Sequence, residues 1–271
     1  MTLFQSIILG LIQGLAEFLP VSSSGHLALA QKIFSLDEIP ILFDVILHLA
    51  TLLAVVLVFR KTIWRLLCVL GRFLARKTKD EDADDLSMIL AIIIATIVTA
   101  VFGLILNKII PDLPIQAVFI GFIITALVLH LSSLYSRKKQ TPVKDATKKI
   151  SIPQALIVGF AQGIGVMPGI SRSGSTISSA LFCNIDRETA GTFSFLLSIP
   201  AILGAFILEV KDLDQLSSSV PLLSLIAGCI AAFLSGLFAL KVLLRLIKKG
   251  RLEYFAFYLI PLAILCFIFI V

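Results

Sequence analysis

Two short stretches hold the residues whose types and spacing could do chemistry. In the first, Gln13 and Glu17 stand four residues apart, on one face of a helix, and Pro20-Val21-Ser22-Ser23-Ser24-Gly25-His26 follows. The second is Pro168-Gly169-Ile170-Ser171-Arg172-Ser173-Gly174-Ser175-Thr176. Gly/Ser-rich entries to helices offer free N–H groups and the positive end of the helix dipole, which favours an anion and phosphate in particular. Arg172 adds a planar, permanently charged fork suited to bidentate phosphate contact. Serine hydroxyls either donate to phosphate oxygens or attack phosphorus. A carboxylate does not bind phosphate directly, so Glu17 serves as a base or through a divalent cation. His26 can accept or return a proton near neutral pH. The two stretches read as phosphoryl chemistry, with the groups divided between them.

Each group also has a structural reading. Arg172 could pair with Glu17 only to lock the two stretches together, and His26 could simply pack. Ser22 and Ser171 are expected to cap short helices whatever else they do. His48 and His130 lie inside apolar runs with no clustered partner, so packing or a water contact is expected of them. Asp44 stands near the start of an apolar run, and Asp80-Glu81-Asp82-Asp84-Asp85 reads as a solvated loop. The four cysteines, Cys68, Cys183, Cys229 and Cys266, share no metal spacing and read as packing residues.

The chain that must position these groups has 271 residues, 58% of them hydrophobic and 15% charged. Soluble chains average roughly 25% charged residues, so a soluble enzyme of this length is excluded, as is a disordered protein. Mean hydropathy is +1.05, and the composition is that of a multi-pass membrane protein. The net charge of +6 comes from short basic clusters between apolar runs, not from a nucleic-acid footprint. No basic n-region or small-residue cleavage site opens the chain, so no cleaved signal peptide is expected.

Six apolar stretches are long enough to cross the roughly 30 Å hydrocarbon core as helices: 41–59, 86–106, 115–134, 191–209, 221–244 and 254–271. Two more apolar regions, 3–36 and 153–183, are broken by the motifs above. The arms after the breaks are about 10 residues, or about 15 Å of helix, and reach half-way. Basic residues crowd 60–79, 137–149 and 245–251, which the positive-inside rule places in the cytoplasm; the intervening connections hold Lys108 alone and Lys211 alone. A single crossing by 153–183 would put the 245–251 cluster outside. That region is therefore expected to be a re-entrant hairpin entering from the cytoplasmic side, and 3–36, by analogy, one entering from the opposite side.

The broken regions resemble each other. Gly10-x-x-Gln13-Gly14 matches Gly159-x-x-Gln162-Gly163, and Ser24-Gly25 and Ser173-Gly174 follow at the same distance from each Gln. At the same offset of 149, residues 52–59 run beside 201–208. Three crossings separate the hairpins, so the second copy is inverted. The expected fold is all-α and polytopic: six transmembrane helices and two re-entrant helical hairpins in an inverted repeat. It forms one integral membrane domain over 1–271, with repeat 1 about 1–135, repeat 2 about 153–271 and a cytoplasmic linker 136–152. In such repeats the broken ends meet near the midplane and form the site. The Gly-x3-Gly pairs are expected to let the hairpin arms pack closely on neighbouring helices.

Both motifs closely resemble those of the undecaprenyl-pyrophosphate phosphatase family, also called the bacitracin-resistance protein family. Gln13-x3-Glu17 with the Pro20–His26 turn is similar to its first motif, and Pro168–Thr176 to its second. The resemblance implies hydrolysis of undecaprenyl pyrophosphate to undecaprenyl phosphate and inorganic phosphate, which recycles the lipid carrier for bacterial wall synthesis and confers bacitracin resistance. It also implies a divalent cation, Mg²⁺ or Ca²⁺, and a site in the bacterial plasma membrane that opens to the outer face. Carried over, Glu17 would bind the metal or activate water, Ser23 would be the nucleophile with His26 as its proton partner, and Arg172 would hold the pyrophosphate. Gln13, Ser22, Ser24, Gly25, Ser171, Ser173, Gly174 and Thr176 would complete substrate binding. Gln13 departs from family members that carry Glu there; a neutral amide is no base and a poorer metal ligand, so Glu17 would carry that load alone.

The partners implied are the isoprenyl pyrophosphate and membrane lipid, with a second copy of the chain as a further candidate and no nucleic acid. A polyprenyl-phosphate transporter or flippase with the same headgroup site is the rival reading, since inverted repeats with broken helices suit transport. Ser23, His26, Glu17 and Arg172 together exceed what anion binding needs. An anion channel would be blocked by such convergent phosphate ligands.

Overall fold

The computed structural model describes residues 1–36, 39–106, 113–138 and 149–270, and every regular element among them is helical. The chain opens with α1 (Leu3–Phe18), started by a capping box in which Thr2 Oγ1 accepts from Gln5 N at 3.2 Å and Gln5 Oε1 accepts from Thr2 N at 2.8 Å. Pro20 cannot continue the helix, and α2 (Ser23–Ile33) restarts behind Ser22. After residues 149–151 the same construction recurs. Gln154 Oε1 accepts from Ser151 N at 2.8 Å, α6 (Ile152–Ile164) stops before the Pro168-Gly169 turn, and α7 (Arg172–Phe182) restarts behind Ser171. Both second arms are 11 residues long, about 16 Å of helix. Each packs against the arm before it.

Between and after these pairs run the long helices α3 (Ile41–Leu74), α4 (Ala83–Leu106), α5 (Ile115–Lys138), α8 (Arg187–Glu209) and α10 (Leu222–Lys249). All five are long and apolar enough to cross a membrane, which makes the chain a multi-pass membrane protein. The short α9 (Leu213–Ser219) links α8 to α10, and α11 (Glu253–Phe269) closes the chain as an apolar helix of 17 residues with Pro261 inside.

Two sequence expectations change here. The basic stretch 60–79 is largely helix, because α3 continues 15 residues beyond 59 to Leu74 and carries Arg60, Lys61, Arg65 and Arg72 on that extension. Only part of the acidic run is solvated, with Asp80, Glu81 and Asp84 exposed. Asp80–Asp82 form a 3-10 turn into α4, Asp82 is buried with Arg72 Nε 2.9 Å from its Oδ2, and Asp85 pairs with Arg65 at 2.9 Å. The carboxylates pin the foot of α4 to the basic end of α3. Lys108, Lys139, Lys144 and Lys148, with most of the linker 136–152, lie outside the described residues.

The packing explains the glycine pairs. α1 lies along α10 so closely that a Cβ on Gly10 would sit 2.2 Å from Gly228 O, and one on Gly14 2.3 Å from Ala232 O. α6 lies along α4 in the same manner, with Gly159 against Ala95 and Gly163 against Phe102. Small residues allow such approach where lipid gives no hydrophobic drive for helices to associate. α3 against α8 and α5 against α11 complete the bundle, and in its core Phe195 meets Phe18 edge-on at a ring separation of 5.9 Å and stacks on Phe59 at 6.0 Å. The two turns face each other inside it.

Candidate active site

Glu17 stands at the end of α1 with its side chain 3% exposed. A carboxylate that deep needs polar partners, and both of its oxygens have them. Arg172, at the first position of α7, bonds Oε1 through Nη2. Oε2 accepts from Ser23 Oγ at 2.7 Å and from Gln13 Nε2, one turn earlier on α1, at 3.1 Å. His48 Nε2, from α3, lies 3.3 Å from the same oxygen. One carboxylate thus joins both hairpins and α3.

The helix starts around it are built by their caps. Ser22 Oγ accepts from Gly25 N at 3.3 Å, and Ser171 Oγ accepts from Gly174 N at 3.1 Å. These caps leave the N–H groups at the first positions of both helices free of intrahelical partners. Ser22 takes a φ of 71°, an uncommon conformation for a residue with a side chain. The second turn instead uses Gly169 at φ 83°, where a Cβ would stand 2.1 Å from Val118 O. Thr125 Oγ1 accepts from Ser171 N at 2.9 Å and donates to Gly169 O at 3.1 Å, which fixes this turn to α5.

A cavity of about 190 Å³ opens between the turns. Glu17, Ser22, Ser23, Ser24, Ser171 and Arg172 line it, with His48. Its far wall is apolar and comes from α8 through Ala201, Ile202 and Ala205. Other residues expected at the site stand behind it. Gln13 is fully buried against Glu17. Ser173 Oγ donates to Phe18 O at 3.2 Å, a bond from one hairpin to the other. Thr176 is fully buried, donates to Arg172 O at 2.9 Å and meets Ser194 Oγ at 2.5 Å. Gly25 passes Phe122, whose ring would lie 2.5 Å from a Cβ there.

His26 is not brought to Ser23. Its Nδ1 bonds Ser22 O at 2.8 Å and its Nε2 meets the Tyr258 hydroxyl of α11 at 2.9 Å, with the ring stacked on Tyr258 and tilted against Phe122. The histidine at the cavity is His48, which sequence reasoning set aside as packing. The signal was present: Asp44 and His48 are four apart in an otherwise apolar run, and polar pairs there mark function by default.

The sequence pattern of bacitracin resistance protein BacA matches residues 6–265, and so takes in both turns and every helix between them. The chain belongs to the bacitracin resistance protein family. The undecaprenyl-diphosphatase of Treponema denticola is 58% identical over 264 residues, covering 97% of this chain and 96% of that protein. Those of Carboxydothermus hydrogenoformans and Desulforapulum autotrophicum are 42% and 41% identical, covering 95% of this chain and 94% and 95% of theirs. Family membership spans the whole architecture, not the two motifs alone.

Proposed function

We propose that this chain is a phosphatase that hydrolyses undecaprenyl pyrophosphate to undecaprenyl phosphate and inorganic phosphate, the activity for which its relatives are named. The observation that carries the reading is the convergence of Ser23 and Arg172, from different hairpins, on the buried carboxylate of Glu17. The cavity suits a headgroup, not a long isoprenoid, so the tail stays in lipid. The pyrophosphate enters between the starts of α2 and α7, where free N–H groups and serine hydroxyls receive its oxygens. Arg172 turns from Glu17 to the phosphates, exchanging one anion for another, and neutralises charge that develops as the anhydride bond breaks.

Glu17 then acts as the base. Ser23 Oγ already donates to Oε2, so its proton passes to the carboxylate as Oγ bonds the terminal phosphorus. The bridging P–O bond breaks and undecaprenyl phosphate leaves. Glu17 passes that proton to the departing phosphate, takes one from the attacking water, and returns it to Ser23 Oγ as the Oγ–P bond breaks and inorganic phosphate leaves. If water attacks directly, Ser23 orients it, and Glu17 keeps its role. His26, held by Ser22 O and Tyr258, shapes the turn in this arrangement.

A divalent cation remains part of the proposal. Both oxygens of Glu17 are engaged, and the described residues contain no group of three His, Cys, Asp or Glu that could cage an ion. That donor set fits a Mg²⁺-like ion, which takes one or two carboxylates and completes its shell with water and substrate phosphates. Glu17 would hold it, and it would supply further neutralisation of phosphate charge.

The remaining topology is proposed on the same footing: α11 as the sixth span, the α1–α2 and α6–α7 pairs as re-entrant hairpins, and an inverted repeat with the basic loops in the cytoplasm of a bacterium and the site open to the outer face. The exchange of partners supports it, since the first hairpin lies along α10 of the second half and the second along α4 of the first. Tags at residue 1 and within 137–149 should map to opposite sides of the membrane; the same side would overturn the orientation. For the activity, purified protein should release phosphate from undecaprenyl pyrophosphate with Mg²⁺ or Ca²⁺ and stop in EDTA. Lipid bound without release would make the chain a headgroup-binding transporter.

A further inference from the structure

Two of the three donors around Glu17 Oε2 come from the first hairpin, and the third comes from α3. The His48 ring is fixed in orientation: its Nδ1 lies 2.7 Å from the backbone carbonyl oxygen of Asp44, one turn earlier. A carbonyl only accepts, so Nδ1 carries hydrogen there, and Nε2, 3.3 Å from Glu17 Oε2, faces that oxygen as the second N–H of an imidazolium, an ion pair with the carboxylate. The side chain of Asp44 accepts from Gln31 Nε2 at 2.8 Å, and Gln31 belongs to α2, the helix that begins with Ser23. Base, nucleophile and His48 therefore sit on three helices tied pairwise by three polar contacts: Ser23 to Glu17, His48 to Glu17 and Gln31 to Asp44. His48 also lines the cavity beside Ser23 and Arg172.

We propose that His48 is a positioning residue for the phosphatase reaction: it holds Glu17 Oε2 against the Ser23 hydroxyl while Arg172 leaves Oε1 for the pyrophosphate. The inference rests on the reading of Glu17 as the base. Without substrate the carboxylate is anchored at both oxygens. Once the guanidinium moves away, only contacts to Oε2 remain, and among these the Gln13 amide lies on the same helix as Glu17 and resists little rotation of the carboxylate. His48 is on a separate helix and is set by that helix's own backbone, so its contact does not depend on where Arg172 goes. A misplacement of about 1 Å between reacting groups lowers rates on the order of 100-fold, which is the effect such an anchor prevents.

The test compares His48→Leu, His48→Asn and His48→Gln in detergent-purified full-length protein, with kcat and KM read from phosphate release. Leu fills similar space with no donor, and should lower kcat by about 10- to 100-fold while KM stays within about threefold. Gln places an amide N–H at the reach of Nε2 and should return kcat to within about fivefold of wild type. Asn is one methylene shorter and should behave like Leu. Should the Leu variant not fold, the Asn and Gln pair decides, provided their thermal unfolding in detergent coincides. Wild-type kcat in Leu or Asn, a loss confined to KM, or Gln no better than Asn would overturn the proposal. Glu17→Ala and Ser23→Ala, assayed alongside, separate the two readings: if both stay active, the base assignment fails and the inference with it. If both are dead while Leu at 48 is active, only the role of His48 falls.

Discussion

The two turns are the same scaffold carrying different chemistry. In both, a Gly-x-x-Gln-Gly helix ends at a proline-containing turn, a serine caps an 11-residue helix, and that serine accepts from a glycine N–H three residues on. At the common offset of 149, however, Ser23 stands opposite Arg172, Glu17 opposite Val166, and His26 opposite Ser175. Gln13 donates to Glu17, whereas its counterpart Gln162 donates to Thr99 Oγ1 at 3.1 Å. The first turn spans 19–22 and bends through Ser22, whereas the second spans 165–171 and bends through Gly169. On the proposed reading both helix starts face the phosphate. The differences at single positions then put the base and nucleophile on one hairpin and the cation on the other, so neither hairpin is a site alone.

If that division is correct, the largest loss should come from Glu17→Ala. It removes the proposed base and leaves the partly buried Arg172 without its carboxylate partner, so activity should fall by about 100- to 10,000-fold. Pairing it with Arg172→Ala should restore some thermal stability but no turnover, which a stability assay and a phosphate assay would read separately. Ser23→Ala comes next and sharpens the chemistry. Retention of about a tenth of the activity would favour direct attack by water, and a loss of three or more orders of magnitude would favour the serine.

The scaffold was legible in the sequence, and part of the site was not. The broken helices, their short second arms, the close-packing glycines and the capping serines all follow from local rules for proline, glycine and serine, and each is where those rules put it. The meeting of Glu17 and Arg172 could be anticipated from charge, because two ionisable groups in an apolar chain must find partners. The position of His26 could not. It sits one turn into α2, and whether it swings to Ser23 or to Tyr258 depends on how α11 packs, which no local pattern encodes. His48 was missed for the converse reason, since its partner Glu17 is 31 positions away on another helix. The helical extension of α3 was hidden because charge was taken to end a span, although Arg and Lys are good helix formers.

Smaller effects test how different the two hairpins are. Gln13→Leu removes a donor from Glu17 but leaves His48 in place, and should lower turnover about fivefold, less than His48→Leu. Gln162→Leu, at the matching place in the other hairpin, should leave turnover within about twofold and act on stability alone, by a change on the order of 1 kcal/mol. Equal effects on turnover would mean that the glutamines serve the scaffold only. Smallest in turnover should be Gly159→Ala, where the added Cβ would meet Ala95 Cα at 2.7 Å. It should cost about 1–3 kcal/mol of stability by overpacking, seen as a lower unfolding temperature in detergent.

The most direct test of the divided site is phosphate release from undecaprenyl pyrophosphate by purified wild-type protein and Arg172→Ala, with binding of the lipid measured on the same samples. The wild type should release phosphate in a metal-dependent way, and the variant should lose at least about 100-fold, with weakened lipid binding and an intact fold. Turnover close to wild type in Arg172→Ala would contradict the divided site, because the second hairpin would then contribute structure and no chemistry.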